Sequence, residues 1–153
     1  MQATRTRWMP RALGMDFLET NLRTYVTYDD RPGVYFFSLE AASWLAVKAA
    51  RIGWSLPYHH ASMRSEREGE RVRYETVRHG DQDADLRVRY RIGSPVGPSE
   101  PGGLQHFLLE RYLLFAIRRG RVLEGQVSHP PYTAFAAEIE ELQQSLTTAA
   151  KAV

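Results

Sequence analysis

Polar and apolar residues alternate from Asn21 to Tyr28: Asn21, Arg23, Tyr25 and Thr27 fall on one side of an extended chain, Leu22, Thr24, Val26 and Tyr28 on the other. This pattern predicts a strand. Asp29-Asp30-Arg31-Pro32-Gly33 carries turn chemistry, and Val34-Tyr35-Phe36-Phe37, apolar on both sides, predicts a second strand in the middle of a sheet. The two form an expected hairpin. Ser38 then reads as the N-cap of a helix to about Arg51, with Trp44, Leu45, Val47 and Ile52 near helical spacing and Gly53 at its end.

The period returns to two in Tyr58 to Arg67, Arg71 to His79 and Asp85 to Ile92, which are divided by Glu68-Gly69-Glu70 and His79-Gly80-Asp81. In the last of these, Leu86, Val88, Tyr90 and Ile92 face one way and Arg87, Arg89 and Arg91 the other, as in a sheet with one wet face. Ser94 to Gly103 reads as a surface loop, Gly103 to Arg111 as a short helix and Tyr112 to Arg118 as an apolar strand. Gly120 turns the chain into Val122 to Ser128, and Ala134 to Val153 is expected to start extended and finish helical. The expected fold is mainly β, of the α+β class: a predominantly antiparallel sheet or barrel with two or three short helices in a single domain, residues 1–153.

With 153 residues, 43% of them hydrophobic, the chain can bury roughly 70% of the surface its unfolded form exposes. It contains no cysteine, which excludes disulfides, thiolate nucleophiles and cysteine-based zinc sites and fits a reducing cytoplasm. The opening Met1 to Arg11 carries three arginines and no apolar run long enough for a signal or a membrane span, so neither export nor a membrane partner is expected. The net charge is +2, and lysine occurs only at Lys48 and Lys151. This scarcity limits imine chemistry.

Phosphate-binding glycine loops, metal-binding histidine pairs at helical spacing and a nucleophile-elbow serine are all missing, and no cofactor or metal is expected. His59 and His60 are adjacent, so a strand sends them to opposite faces. His129, before Pro130-Pro131, has two roles open to it: a general base, or a hydrogen bond within the turn. The Arg87, Arg89, Arg91 row is expected to pair with acids of neighbouring strands and turns (Glu66, Glu68, Glu70, Glu75, Asp81, Asp83, Asp85) rather than to grip nucleic acid. The strongest set is Glu19, Asn21, Arg23 and Tyr25, an acid, an amide, a fixed cation and a phenol on one strand face.

Several stretches together resemble the YqjF-like family of uncharacterised proteins, which is assigned to the acetoacetate decarboxylase-like fold. They are Phe17 to Val26, Pro32 to Leu39, Ala50-Arg51, Leu56 to Tyr58, Ala61 to Met63, Gly103-Leu104, Phe107 to Tyr112 and His129-Pro130, in the family's order. The resemblance implies a conical β-barrel or curved sheet around an apolar pocket. It also implies that the family's N-terminal strands are missing here, with residues 1–16 a poorly structured lead-in and the exposed strand edges open to pairing in a homodimer. Acetoacetate decarboxylase itself forms a Schiff base through a lysine beside another lysine, and no Lys-Lys pair exists in this chain.

Three functions follow as expectations. The first is binding of a small organic ligand, an anion held by Arg23 among them, in a barrel pocket whose candidate contacts are Glu19, Asn21, Arg23, Tyr25, Tyr58 and His129. The second is a lyase or decarboxylase-like reaction on a small carbonyl or carboxylate compound, with Glu19 as acid or base and Lys48 as imine former. The third is a structural or interaction role without catalysis.

Overall fold

The computed structural model describes residues 17–54, 56–80, 84–127 and 130–150; the lead-in expected over residues 1–16 lies outside them. Eight strands and three short helices follow in the order β1 (Glu19–Tyr28), β2 (Arg31–Ala41), α1 (Trp44–Trp54), β3 (Tyr58–Glu68), β4 (Arg71–Arg78), β5 (Asp85–Gly97), α2 (Leu104–Leu109), β6 (Leu113–Arg118), β7 (Arg121–Gln126), β8 (Ala134–Gln144) and α3 (Leu146–Ala149). The protein is mainly β, as the period-two stretches indicate. Between β1 and β2 only Asp29 and Asp30 remain unpaired, both with positive φ (52° and 56°), the left-handed pair that a two-residue hairpin matching strand twist requires. Short polar side chains tolerate that conformation best.

β2 is the hub. β1 pairs with it along one edge from Glu19↔Ala41 to Tyr28↔Arg31, so its other edge is shared: β6 pairs in parallel at Val34 and Tyr35, and β3 in parallel at Leu39 to Ala41. From β3 the sheet continues antiparallel through β4 and β5 to β8, and from β6 to β7. Two expectations change here. The sheet is mixed rather than predominantly antiparallel at its centre, because α1 carries the chain from the end of β2 back to start β3 alongside it. Nor is it a closed barrel: among the described residues the order runs β7-β6-β2-β3-β4-β5-β8 with no pairing of its ends.

The helix expected from Ser38 starts at Trp44, since Ser38 to Ala41 stay extended to pair with β1 and, from Leu39, with β3. Ladder bonds on both edges outweigh a capping serine there. β5 likewise runs through the expected loop to Gly97, with irregular register against β8 between Ile92 and Gly97. The tail behaves as expected, β8 leading into α3.

Curvature follows from contacts between non-neighbours. β1 and β4 are separated by β2 and β3, about 14 Å in a flat sheet. Yet Thr20 Oγ1 lies 2.7 Å from Thr76 Oγ1, and the Tyr74 hydroxyl donates to the Glu19 carbonyl at 2.9 Å. The sheet must therefore curl until these strands meet across its concave face. The apolar core gathers at the hub, where Val34, Leu39, Ala41, Ala61, Leu114, Phe115 and Ala116 are buried. Those residues fall on both faces of the sheet, whereas towards β8 the concave face lies open, with Ile139 61% and Leu142 55% exposed.

Gly33 marks the tightest approach of β2 to β6, since a Cβ there would sit 2.6 Å from Phe115 Cε2 and 2.8 Å from the Leu113 carbonyl. Gly33→Ala is expected to destabilise the fold by about 1–3 kcal/mol through overpacking. Denaturant unfolding measures it, and an unchanged midpoint would contradict the close packing of this branch.

Candidate functional site

Register places seven polar side chains on the concave face. Thr20 pairs with Glu40, Glu40 with His59, and Ala61, two residues beyond His59, with Arg78; Ser38 precedes Glu40 by two, and Tyr74 and Thr76 precede Arg78 by four and two. An irregularity opposite Leu22 and Arg23, where Phe37 is skipped in the pairing, shifts the parity of β2. Upstream of it Tyr35 turns to this face, and downstream Ser38 and Glu40 do.

At the centre is an ion pair taken out of water. The Arg78 Nη2 group donates to Glu40 Oε1, with 4% and 0% of the two side chains exposed. Two such groups usually meet through two parallel bonds. Here one bond forms, and Glu40 Oε2, Arg78 Nε and the hydroxyl of buried Ser38 have no hydrogen-bond partner among the described residues. Beside the pair, Thr20 and Thr76 bond each other, and Thr20 Oγ1 donates to the Tyr74 hydroxyl at 3.1 Å. Burial, the leading cause, raises the Tyr74 pKa, so this phenol stays protonated near neutrality. His59 is pushed down to about 4, first by burial and then by repulsion from Arg78 and Arg51, so its ring is neutral.

The opposite face of the same strands holds part of the expected set. The Tyr58 hydroxyl donates to Glu19 Oε2 at 2.8 Å, and Asn21 also hydrogen-bonds the Glu19 side chain. Glu19 is solvent-exposed as a residue, but its carboxyl is flanked closely enough that desolvation raises its pKa, against the lowering effect of Tyr58 and Asn21; the charge of Glu40 adds to the rise. Burial and the Glu19 charge together raise the Tyr58 pKa. Glu19, Asn21 and Tyr58 therefore converge.

Arg23 and Tyr25 belong elsewhere. The exposed Arg23 guanidinium donates to the Leu108 carbonyl at 3.2 Å and the Tyr25 hydroxyl to the same oxygen at 3.0 Å, while the Tyr25 ring lies tilted against that of Phe107, centroids 4.7 Å apart. This second group anchors α2. Lys48 lies on the exposed side of α1 with Nζ 4.0 Å from the Trp44 ring centre, and it is not among the groups that shift Glu19. His129 lies outside the described residues.

His59 and His60 do separate to opposite faces, and the His60 ring stacks 4.9 Å from that of His79. The arginines of β4 and β5 pair on the convex face, but mostly with β8 rather than with the acids expected: Arg89 with Glu141, Arg91 with Glu138 and Glu140, and Arg71 with Glu140, beside Arg73 with Glu75. Such exposed pairs contribute little each. Among the described residues no cluster of three His, Asp or Glu could hold a metal, and no helix is long and apolar enough to cross a membrane.

Glu40, Arg78, Thr20, Thr76 and Tyr74 escaped the sequence reading. Arg78 had a signal: it shares the parity of Val72, Tyr74 and Thr76, so a charged residue stands at an inward position.

An open, strongly curved mixed sheet with an acid–guanidinium pair buried on its concave face defines a small, mainly β protein of the α+β class. The chain belongs to the DUF2071 family, described as an uncharacterized conserved protein, whose model matches residues 1–153. It is 39% identical over 146 residues to the uncharacterized protein YqjF of Bacillus subtilis strain 168, a match covering 95% of this chain and 60% of that protein. The chain thus spans about three fifths of the length of this curated relative. No solved structure matches it.

The depressed His59 pKa has a signed consequence. The folded ring resists protonation while the unfolded one accepts it near 6.5, so stability is fully present above 6.5 and falls as pH drops towards about 4. His59→Gln is expected to flatten that part of the stability–pH curve in denaturant titrations. An equally steep fall in the variant would remove His59 as its source.

Proposed function

We propose that the protein binds a small, uncharged organic molecule on the concave face, its apolar body along the open face towards β8 and its polar head reaching the Glu40–Arg78 pair, which the fold closes to water, only as the curl opens. The observation that carries this reading is the single-bonded pair with three unpartnered polar atoms, at the closed end of a face that turns apolar towards β8. Leaving such atoms unpaired costs about 1–3 kcal/mol each, so a ligand that satisfies them gains both affinity and orientation.

The free atoms also favour a chemistry. Arg78 Nε–H is a donor, Glu40 Oε2 an acceptor, and Ser38 can serve as either. A group with adjacent acceptor and donor, such as a primary amide or an α-hydroxyketone, complements them. A carboxylate would meet the charge of Glu40. Tyr74 and His59 sit on the same face, are only partly buried, and offer a protonated phenol and a neutral imidazole to the same ligand. From there Val88 and Tyr90 of β5 lead to Leu142 and Ile139 of β8, their register partners.

A second reading has its own support. The raised carboxyl of Glu19, hydrogen-bonded by Tyr58, suits an acid–base step on a small carbonyl compound on the other face. Lys48 contributes nothing near that carboxyl, so this version needs no imine. Turnover that disappears in Glu19→Gln with the fold intact would support it.

The binding reading is tested by exchanging the pair for apolar residues of similar volume. Glu40→Leu with Arg78→Met is expected to melt no lower than the parent chain, because a buried ion pair seldom outweighs good apolar packing. The parent is expected to show a saturable rise in melting temperature with benzamide and little with benzoate, and the double variant none with either. A double variant that responds to benzamide as the parent does, or a parent that ignores benzamide, would overturn the proposal.

A further inference from the structure

The β6–β7 hairpin ends in a stretch, Ile117-Arg118-Arg119-Gly120-Arg121-Val122, whose residues serve the fold poorly. Arg118 stands directly opposite Arg121 in the register, and like charges at such a pair destabilise a sheet. Arg119 takes a positive φ (51°) beside Gly120 (74°), in a two-residue turn whose first position asparagine or aspartate fills with least strain. All three arginines are exposed and form no ion pair among the described residues; the one acid of either strand, Glu124, is held by Arg31 of β2. On the other face of the same tip Ile117 and Val122 oppose each other, 63% and 39% exposed. A like-charge pair, a left-handed arginine and an open isoleucine thus share one turn, at the opposite end of the strand order from β8.

We propose that this tip is a docking surface for anionic lipid headgroups, the arginines meeting phosphates while Ile117 and Val122 enter the boundary between headgroups and acyl chains. Guanidinium groups take phosphate oxygens through paired hydrogen bonds, and their long stems let charge and apolar side chains share one interface. Each arginine close to an anionic surface strengthens attachment about fivefold, so three contribute on the order of a hundredfold. The apolar pair separates this occupant from others. A soluble phosphate leaves Ile117 in water, and a nucleic acid strand is gripped best where aromatic rings stack on its bases; residues 117–123 contain none. Adhesion of this kind needs no apolar run of spanning length.

Co-sedimentation with vesicles tests it: phosphatidylcholine alone against an equal mixture with phosphatidylglycerol. The full chain is expected to bind the mixture on the order of a hundredfold more tightly, and added salt to erase most of the difference by screening. Arg118→Thr with Arg119→Asn removes the like-charge pair and the strained arginine, so its melting temperature is expected to equal or exceed the parent's while its affinity for the mixture falls about thirtyfold. Ile117→Ser is expected to weaken attachment several-fold without changing its salt dependence. Equal binding to both vesicles, a double variant that attaches as the parent does, full affinity in Ile117→Ser, or a duplex RNA that binds the chain more tightly than the mixture does would overturn the assignment.

Discussion

One interaction constrains the rest of this protein: a carboxylate and a guanidinium buried together on the inner face of a curled sheet. Removing an ion from water costs several kcal/mol even after relaxation, and mutual attraction offsets this only when geometry and further hydrogen bonds are good. Glu40 and Arg78 meet through a single bond and leave polar atoms without partners. As a stabilising device the pair is poorly made. Its components come from β2 and β4 on either side of β3, so both must point inward across a curved surface for the contact to exist at all. The hydroxyl chain from Thr20 to Thr76 and Tyr74 bridges the same curl from β1.

Curvature and chemistry are therefore linked. Pairing of β2 with three strands forces the sheet to branch, the irregularity at Phe37 resets which residues of β2 face inward, and the curl brings β1 over β4. The two faces of the same strands then differ in character. Inside, a neutral imidazole and a protonated phenol flank the buried charges; outside, an accessible carboxyl with a raised pKa is held by Tyr58 and Asn21. Fold alone does not assign a reaction to such a site. Unpaired donors and acceptors at a defined place favour binding.

Much of the fold was legible because period-two alternation survives wherever one face is wet, as in β1, β4 and β5. Where both faces of a strand are covered the signal fades: β2 is apolar or buried on both sides, and its last residues, Ser38 to Ala41, passed for a helix start, hiding Glu40 inside an expected helix. Glu19, Asn21 and Tyr58 were found because alternation or family likeness exposed them. Arg23 and Tyr25 share that alternation, but α2, more than eighty residues away, takes up their polar ends. Parallel pairing at the hub and the branch to β6 depend on long-range register, which local periodicity does not carry.

The central claim is that the unpaired edge of Arg78 recognises a ligand's polar head rather than merely completing a structural contact. Heteronuclear NMR of the Arg78 Nε–H group during titration with benzamide observes that edge directly. The account predicts a progressive, saturable displacement of this resonance. A resonance that stays put while signals elsewhere respond would contradict it.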